Sequence, residues 1–192
     1  MRRNRDFIGP AGMGGMVSLW GASSLIASVQ RGLVSIAAGA TSGTATITAV
    51  STNDTFLSYM FWEDNGTTNT SGDPSTVQCA LALTNGTTLT ATRSSAADAF
   101  EKYVGYEVIQ FRPGVIKSVQ RGTCGIESSV TITAVETNKC TASMTGWITS
   151  FPAWQGNVMP RAILTSGTNL SVSSGFASGT GGTATYQVLE FF

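Results

Sequence analysis

The sequence predicts an all-β fold: two tandem β-sandwich domains, an internal duplication, preceded by an extended N-terminal arm. Three observations predict it. Four short blocks occur twice, in one order. Apolar residues alternate with polar ones at a period of two. The composition is that of strands and turns, with Ser and Thr filling about a quarter of the chain and 22 glycines. Repetition is read first, because a fixed internal period decides the architecture before local propensity does.

The repeated blocks are easily located. Ser28-Val29-Gln30-Arg31-Gly32 returns as Ser118-Val119-Gln120-Arg121-Gly122. Thr46-Ile47-Thr48-Ala49-Val50 returns as Thr131-Ile132-Thr133-Ala134-Val135. Leu83-Thr84-Asn85-Gly86-Thr87 returns as Leu164-Thr165-Ser166-Gly167-Thr168. Tyr106 to Phe111 returns as Tyr186 to Phe191. The expected organisation is an arm over residues 1–25, a first sandwich over 26–112 and a second over 113–192.

In the arm, a basic tip precedes a Gly- and Met-rich stretch and then Leu19 and Trp20. Ordering glycine costs the most backbone entropy, so such a segment is expected to order against a partner or a sister subunit. The tip and the apolar residues after it faintly resemble a secretion leader. Four glycines between Gly9 and Gly15, together with Asp6, interrupt that pattern, and no leader is expected. No apolar run approaches the ~20 residues of a membrane-spanning helix.

In the first copy, Gly43 to Val50 alternates strictly, with Ala45, Ile47 and Ala49 on one face and threonines on the other. Thr55 to Trp62 is rich in aromatic and apolar residues and reads as a strand. Asn65 to Pro74 reads as an exposed loop. Val77 to Leu83, Thr87 to Thr92 and Tyr103 to Phe111 are the remaining strands, with one helical turn expected within Ser94 to Lys102. Asn85-Gly86 predicts a hairpin turn, since both residues tolerate positive φ. Arg112-Pro113-Gly114 ends the last strand and forms a linker too short to let the copies separate. The second copy repeats this order, with Trp147 to Pro160 replacing the polar loop. Short strands with turn signals, twice over, are the pattern of two sandwiches.

Composition excludes several functions. Charged residues are 11% of the chain and cancel to a net charge of zero. Nucleic-acid binding relies on a basic surface, so no nucleic-acid partner is expected. There is no histidine, which removes the usual Ser-His, Cys-His and His-metal chemistries. Glu63 and Asp64 are adjacent and point to opposite faces of a strand. Asp54, Asp73 and Asp98 stand alone, so no facing carboxylate pair is visible. No enzyme, cofactor or metal is expected. Gly12-Met13-Gly14-Gly15 lacks the Lys and the preceding strand of a phosphate loop. The oxygen-rich loop from Glu63 to Asp73 lacks EF-hand spacing.

Cys79, Cys124 and Cys140 form no metal or disulfide pattern. A bridge between Cys124 and Cys140 and burial as free thiols both remain open. Five Asn-x-Ser/Thr sequons arise naturally in a chain rich in Asn and Thr. Arg31 and Arg121 occupy matching places and are each expected to anchor a carboxylate or backbone carbonyls within their own copy, with Glu107 and Glu190 as candidate partners. Aromatics gather at corresponding places, namely Phe56, Tyr59, Phe61 and Trp62, then Trp147, Phe151 and Trp154. They serve either core packing or a contact surface for a subunit or a sugar.

The Ser-Val-Gln-Arg-Gly block, Thr44 to Val50, Leu83 to Thr88 and the closing Tyr-x-Val-x-Glu-Phe resemble small β-rich virion proteins of tailed bacteriophages. The resemblance covers roughly residues 26–192 and supplies no catalytic residues. The second copy departs from it around Cys124 to Ser129 and at the aromatics around Trp147. The resemblance implies a structural component of the virion, a tail-fibre or tail-associated protein. Arg2, Arg3, Arg5, Phe7, Leu19 and Trp20 would dock it to tail, connector or capsid proteins. It would assemble with itself, with a trimer as one option, and would involve no membrane. A capsid decoration protein bound by the same arm is the alternative. A carbohydrate-binding receptor adhesin is a third reading; it would present Trp62, Trp147, Phe151 and Trp154 to a host surface glycan.

Overall fold

A computed structural model describes residues 24–64, 78–95, 100–149, 160–174 and 181–192. The first half runs β1 (Ile26–Ile36), β2 (Ser42–Thr46), a 3-10 turn (Thr52–Asp54), β3 (Thr55–Asp64), β4 (Cys79–Asn85), β5 (Thr88–Arg93) and β6 (Lys102–Phe111). The second half runs β7 (Ile116–Gly125), β8 (Ser128–Thr131), a 3-10 turn (Thr137–Lys139), β9 (Cys140–Thr149), β10 (Arg161–Ser166), β11 (Asn169–Ser173) and β12 (Gly182–Phe191). The strands form antiparallel sheets ordered β1-β6-β3, β2-β5-β4-β9-β12-β7 and β10-β11-β8. The middle sheet crosses from one half to the other through one bridge, Ala80 opposite Gly146. Gly146 has φ +118°, and a Cβ there would lie 2.3 Å from the Cys79 carbonyl oxygen, so only glycine lets β9 come this close to β4.

Within each half the strands pair in the same pattern. β6 lies between β1 and β3, as β12 lies between β7 and β9. β5 lies between β2 and β4, as β11 lies between β8 and β10. Alternation places the cores. In β5, Leu89 and Ala91 point inward, and in β11 Leu170 and Val172 do the same. The first core adds Val34, Ile36, Leu57, Leu81, Val104, Tyr106 and Val108. The second adds Cys124, Ile126, Ile132, Ala184, Tyr186 and Val188. Burying each branched or aromatic side chain contributes about 1.5–3 kcal/mol, which is the main stabilising term in each half.

The four recurring blocks touch one another. Gln30 Oε1 accepts from the Thr48 N–H at 2.7 Å while its Nε2 donates to the Thr48 carbonyl at 2.9 Å. Gln120 does the same to Thr133, at 2.7 and 2.9 Å. The Val50 N–H donates to Gly86 O at 2.8 Å, and the Val135 N–H to Gly167 O at 2.8 Å. The Tyr106 ring covers Gly32, where a Cβ would sit 2.6 Å from its hydroxyl; Tyr186 covers Gly122 in the same way, at 2.8 Å. Each half therefore joins its four blocks into one network.

Two local expectations are corrected. The alternation from Gly43 to Val50 predicts one strand, yet only Ser42–Thr46 pairs with β5. Beyond it the Gln30 amide takes the place of a neighbouring strand at Thr48, and Ala49 is exposed. Gly86 does not have positive φ. It is glycine because a Cβ would lie 2.6 Å from the Val50 carbonyl oxygen. The helical turn expected within Ser94 to Lys102 falls on a stretch of which residues 96–99 lie outside the described residues; Lys102, at its end, opens β6 and is fully buried. The linker turns at Pro113-Gly114, with Gly114 at φ +85°.

Candidate functional site: the seam between the halves

A row of three residues crosses each of the matching strand triplets β1-β6-β3 and β7-β12-β9. In the second half Arg121 on β7, Gln187 on β12 and Ser143 on β9 lie directly opposite one another. In the first half the same row is Arg31, Glu107 and Ser58. Directly opposed residues on neighbouring strands share a face, so each row lies on one side of its sheet. What covers that side differs between the halves. In β12, every residue from Tyr186 to Glu190 is buried, so both faces of the strand are covered. In β6, burial alternates through Tyr106, Glu107 and Val108. The open face beside it exposes Val29, Leu33 and Phe61.

The first half's β3 covers the second half's row. Gln187 is fully buried and joins the two halves. Its Oε1 accepts from the Leu57 N–H at 3.1 Å. Its Nε2 donates to the Leu57 carbonyl and, at 3.0 Å, to Ser143 Oγ. β3 is an edge strand, and an edge presents unpaired N–H and C=O groups. The primary amide satisfies one such pair as a neighbouring strand would. A carboxylate could accept but not donate, so Gln can make this contact and the Glu of the first half cannot.

Arg121 is the second fastener. It donates from Nη1 to Thr52 O at 2.8 Å and from Nη2 to Thr55 O. These carbonyls belong to the first half, which corrects the expectation that Arg121 anchors within its own copy. Arg31 does meet that expectation by pairing with Glu107 at the surface. Arg121 makes no ion pair among the described residues, and its Nε is buried without a hydrogen-bond partner. Burial pushes its guanidinium down to about 10. Next to it is a half-open pocket of about 200 Å³, whose walls include Leu57, Leu83, Arg121, Thr145, Thr185 and Tyr186. Thr145 Oγ1 is also buried without a partner. At the linker, Phe111 and Phe191, the matching last residues of β6 and β12, meet edge to face at 6.1 Å.

Glu190, the other candidate partner for an arginine, holds the second half together instead. It accepts from the Glu136 N–H at 2.9 Å, Lys117 Nζ at 2.9 Å and Ser118 Oγ at 3.1 Å. The Glu136 N–H first, and Lys117 next, keep its carboxyl below the usual carboxylate range.

The remaining candidates are placed as follows. Trp62 and Trp147 are half-buried and pack against the first and second cores. Phe151, Trp154, Arg2, Arg3, Arg5, Phe7, Leu19 and Trp20 lie outside the described residues. Cys79, Cys124 and Cys140 are all free thiols. Sequence reasoning missed Gln187, Ser143 and Thr145. One signal pointed to them: the last repeated block keeps its Tyr but exchanges Glu107 for Gln187, while the opposing arginine is retained. Comparison with protein-family models, curated proteins and solved structures finds no match to this chain.

Proposed function

We propose that the chain is a structural component of a bacteriophage particle, a tail-fibre or tail-associated protein. It comprises two duplicated sandwiches, over 26–112 and 113–192, behind a docking arm over 1–25. The observation that carries this reading is the seam: a buried amide and a guanidinium fasten one half to the other through backbone groups. Such a fastening fixes the two sandwiches in one orientation, as a spacer or load-bearing unit requires. Low charge and an open apolar face at Val29, Leu33 and Phe61 suit a protein that works inside an assembly. The chain acts without catalysis or cofactor. Its partners are further copies of itself and neighbouring virion proteins.

Cryo-electron microscopy of purified particles containing the chain tests this. Density for a few copies at the tail or collar is the expected result. Hundreds of copies over the shell would make it a decoration protein, and absence from particles would refute both readings. The sugar-binding adhesin has weaker support, because Trp62 and Trp147 are engaged with the cores.

A further inference from the structure

The matching faces of the two halves are built for different neighbours. In the second half a strand edge covers the row. Gln187 can donate to the Leu57 carbonyl, and Gly146 lets β4 draw up beside β9. The first half differs at both places. Glu107 stands where Gln187 does, and a carboxylate has no N–H for an edge carbonyl. Phe61 stands where Gly146 does, two residues after Tyr59 as Gly146 is two after Met144, the partners of Tyr106 and Tyr186. Its ring lies on Gly105, where a Cβ would come within 2.5 Å of it. This face does not receive an edge as the second half's does.

It presents a broad, mixed surface instead. Val29, Arg31 and Leu33 point outward from β1, while Val34 and Ile36 are buried. Leu33 is 50% exposed and Phe61 46%. An exposed apolar patch with polar groups around it marks a contact site. Arg31 and Glu107 lie side by side at its centre, one charge of each sign, and the Arg31 side chain is 67% exposed. A pair of that kind is complementary to itself. A two-fold axis running along the strands between β1 and β6 lays each β1 over the other copy's β6. Arg31 of each copy then meets Glu107 of the other, Val29 meets Ile109, and Leu33 meets Gly105 and the Phe61 ring upon it. Glu63 lies level with Tyr103, about 13 Å along the strands from the central row. Glu101 is at that same end, bonded to Ser35 and Tyr103. Sheets packed face to face cross at about 30°, which lets these acidic ends part.

We infer that the outer face of β1-β6-β3 binds the same face of a second copy, forming a two-fold dimer. Another protein would have to bring charges that match this row, whereas a second copy already carries them. The inference rests on the proposed function only in taking copies of the chain to associate. A dimer of purified chain does not depend on a place in any particle, so either reading can fail while the other stands.

The test is sedimentation of the full chain over a range of concentrations, with circular dichroism to check the fold of each variant. The wild type is expected to pass from monomer to dimer. Leu33→Asp puts two charges into a symmetric contact and is expected to weaken the dimer roughly a hundredfold or more. Ile163→Asp, at an exposed apolar residue of β10, is expected to leave it intact. Arg31→Glu makes the central row acidic and Glu107→Lys makes it basic. Each alone is expected to stay monomeric, and an equimolar mixture of the two to form a one-to-one heterodimer. A wild type that stays monomeric, or forms a trimer, would overturn the inference. So would association unchanged in Leu33→Asp or lost in Ile163→Asp, or a mixture of the two charge variants that stays monomeric.

Discussion

Replacing Gln187 with alanine isolates the contact that joins the halves. The substitution orphans the Leu57 N–H and carbonyl and removes the partner of Ser143 Oγ. Each buried polar group left unpaired costs about 1–3 kcal/mol. Ser143 is half-buried and can turn to water, so the two Leu57 groups carry most of the loss. A destabilisation of about 3 kcal/mol is expected, which is large against the 5–15 kcal/mol of an ordinary domain. Glu107→Ala is the matched control, at the same place in the row of the first half. Its Arg31 partner is 67% exposed, and an exposed ion pair contributes about 0–1 kcal/mol. Urea unfolding followed by far-ultraviolet circular dichroism and by tryptophan fluorescence measures both. Trp62 packs on the first core and Trp147 on the second, so fluorescence follows both halves. In Gln187→Ala each probe is expected to show two transitions in place of one, as the halves lose their coupling. Equal losses in the two variants, or a loss under about 0.5 kcal/mol in Gln187→Ala, would refute the reasoning.

Three further outcomes are expected. Gly86→Ala and Gly167→Ala each force a Cβ to within 2.6 and 2.7 Å of the Val50 and Val135 carbonyl oxygens, and thermal melts should show similar losses of about 1–3 kcal/mol in both. Glu190 has a folded-state pKa held below its ordinary value of 4.5, so its contribution is complete above that pH and disappears as pH falls through the folded value. Melts from pH 7 to 2 should therefore show a shallower acid limb in Glu190→Gln; a limb parallel to the wild type would contradict this. Burial pushes the Cys124 and Cys140 thiols up, and Cys140 is the less buried. Titration with a thiol reagent at neutral pH should modify Cys140 first and slowly, with Cys79 and Cys124 reacting only on unfolding.

Much of the fold was legible because its signals are local. Thr55 to Trp62 and Tyr103 to Phe111 fall within β3 and β6, where apolar residues alternate or crowd. The repeated blocks were visible as text, but their reason was not. Gln30 recurs because it bonds Thr48, and Gly86 because it lies under Val50 O. Both contacts lie across a sandwich, where neighbouring residues carry no periodic trace of them. The seam was harder still. Gln187 and Leu57 are 130 residues apart, and a face meeting an edge leaves no pattern in either strand. Only the exchange of Glu107 for Gln187 opposite a retained arginine marked the place. The same exchange explains the unequal arginines, since Arg31 keeps a carboxylate at the surface and Arg121 must seek carbonyls in the other half.

The central claim is that the seam makes the two halves one body, and the Leu57 amide reports on it directly. Its N–H has Gln187 Oε1 as its partner, from the opposite half of the chain. Residue-resolved hydrogen exchange should find Leu57 protected as strongly as the core amides of β6, with that protection lost in Gln187→Ala while β6 keeps its own. Exchange at Leu57 as fast as at an exposed edge strand in the wild type would contradict the claim, because the halves would then be opening from each other without unfolding.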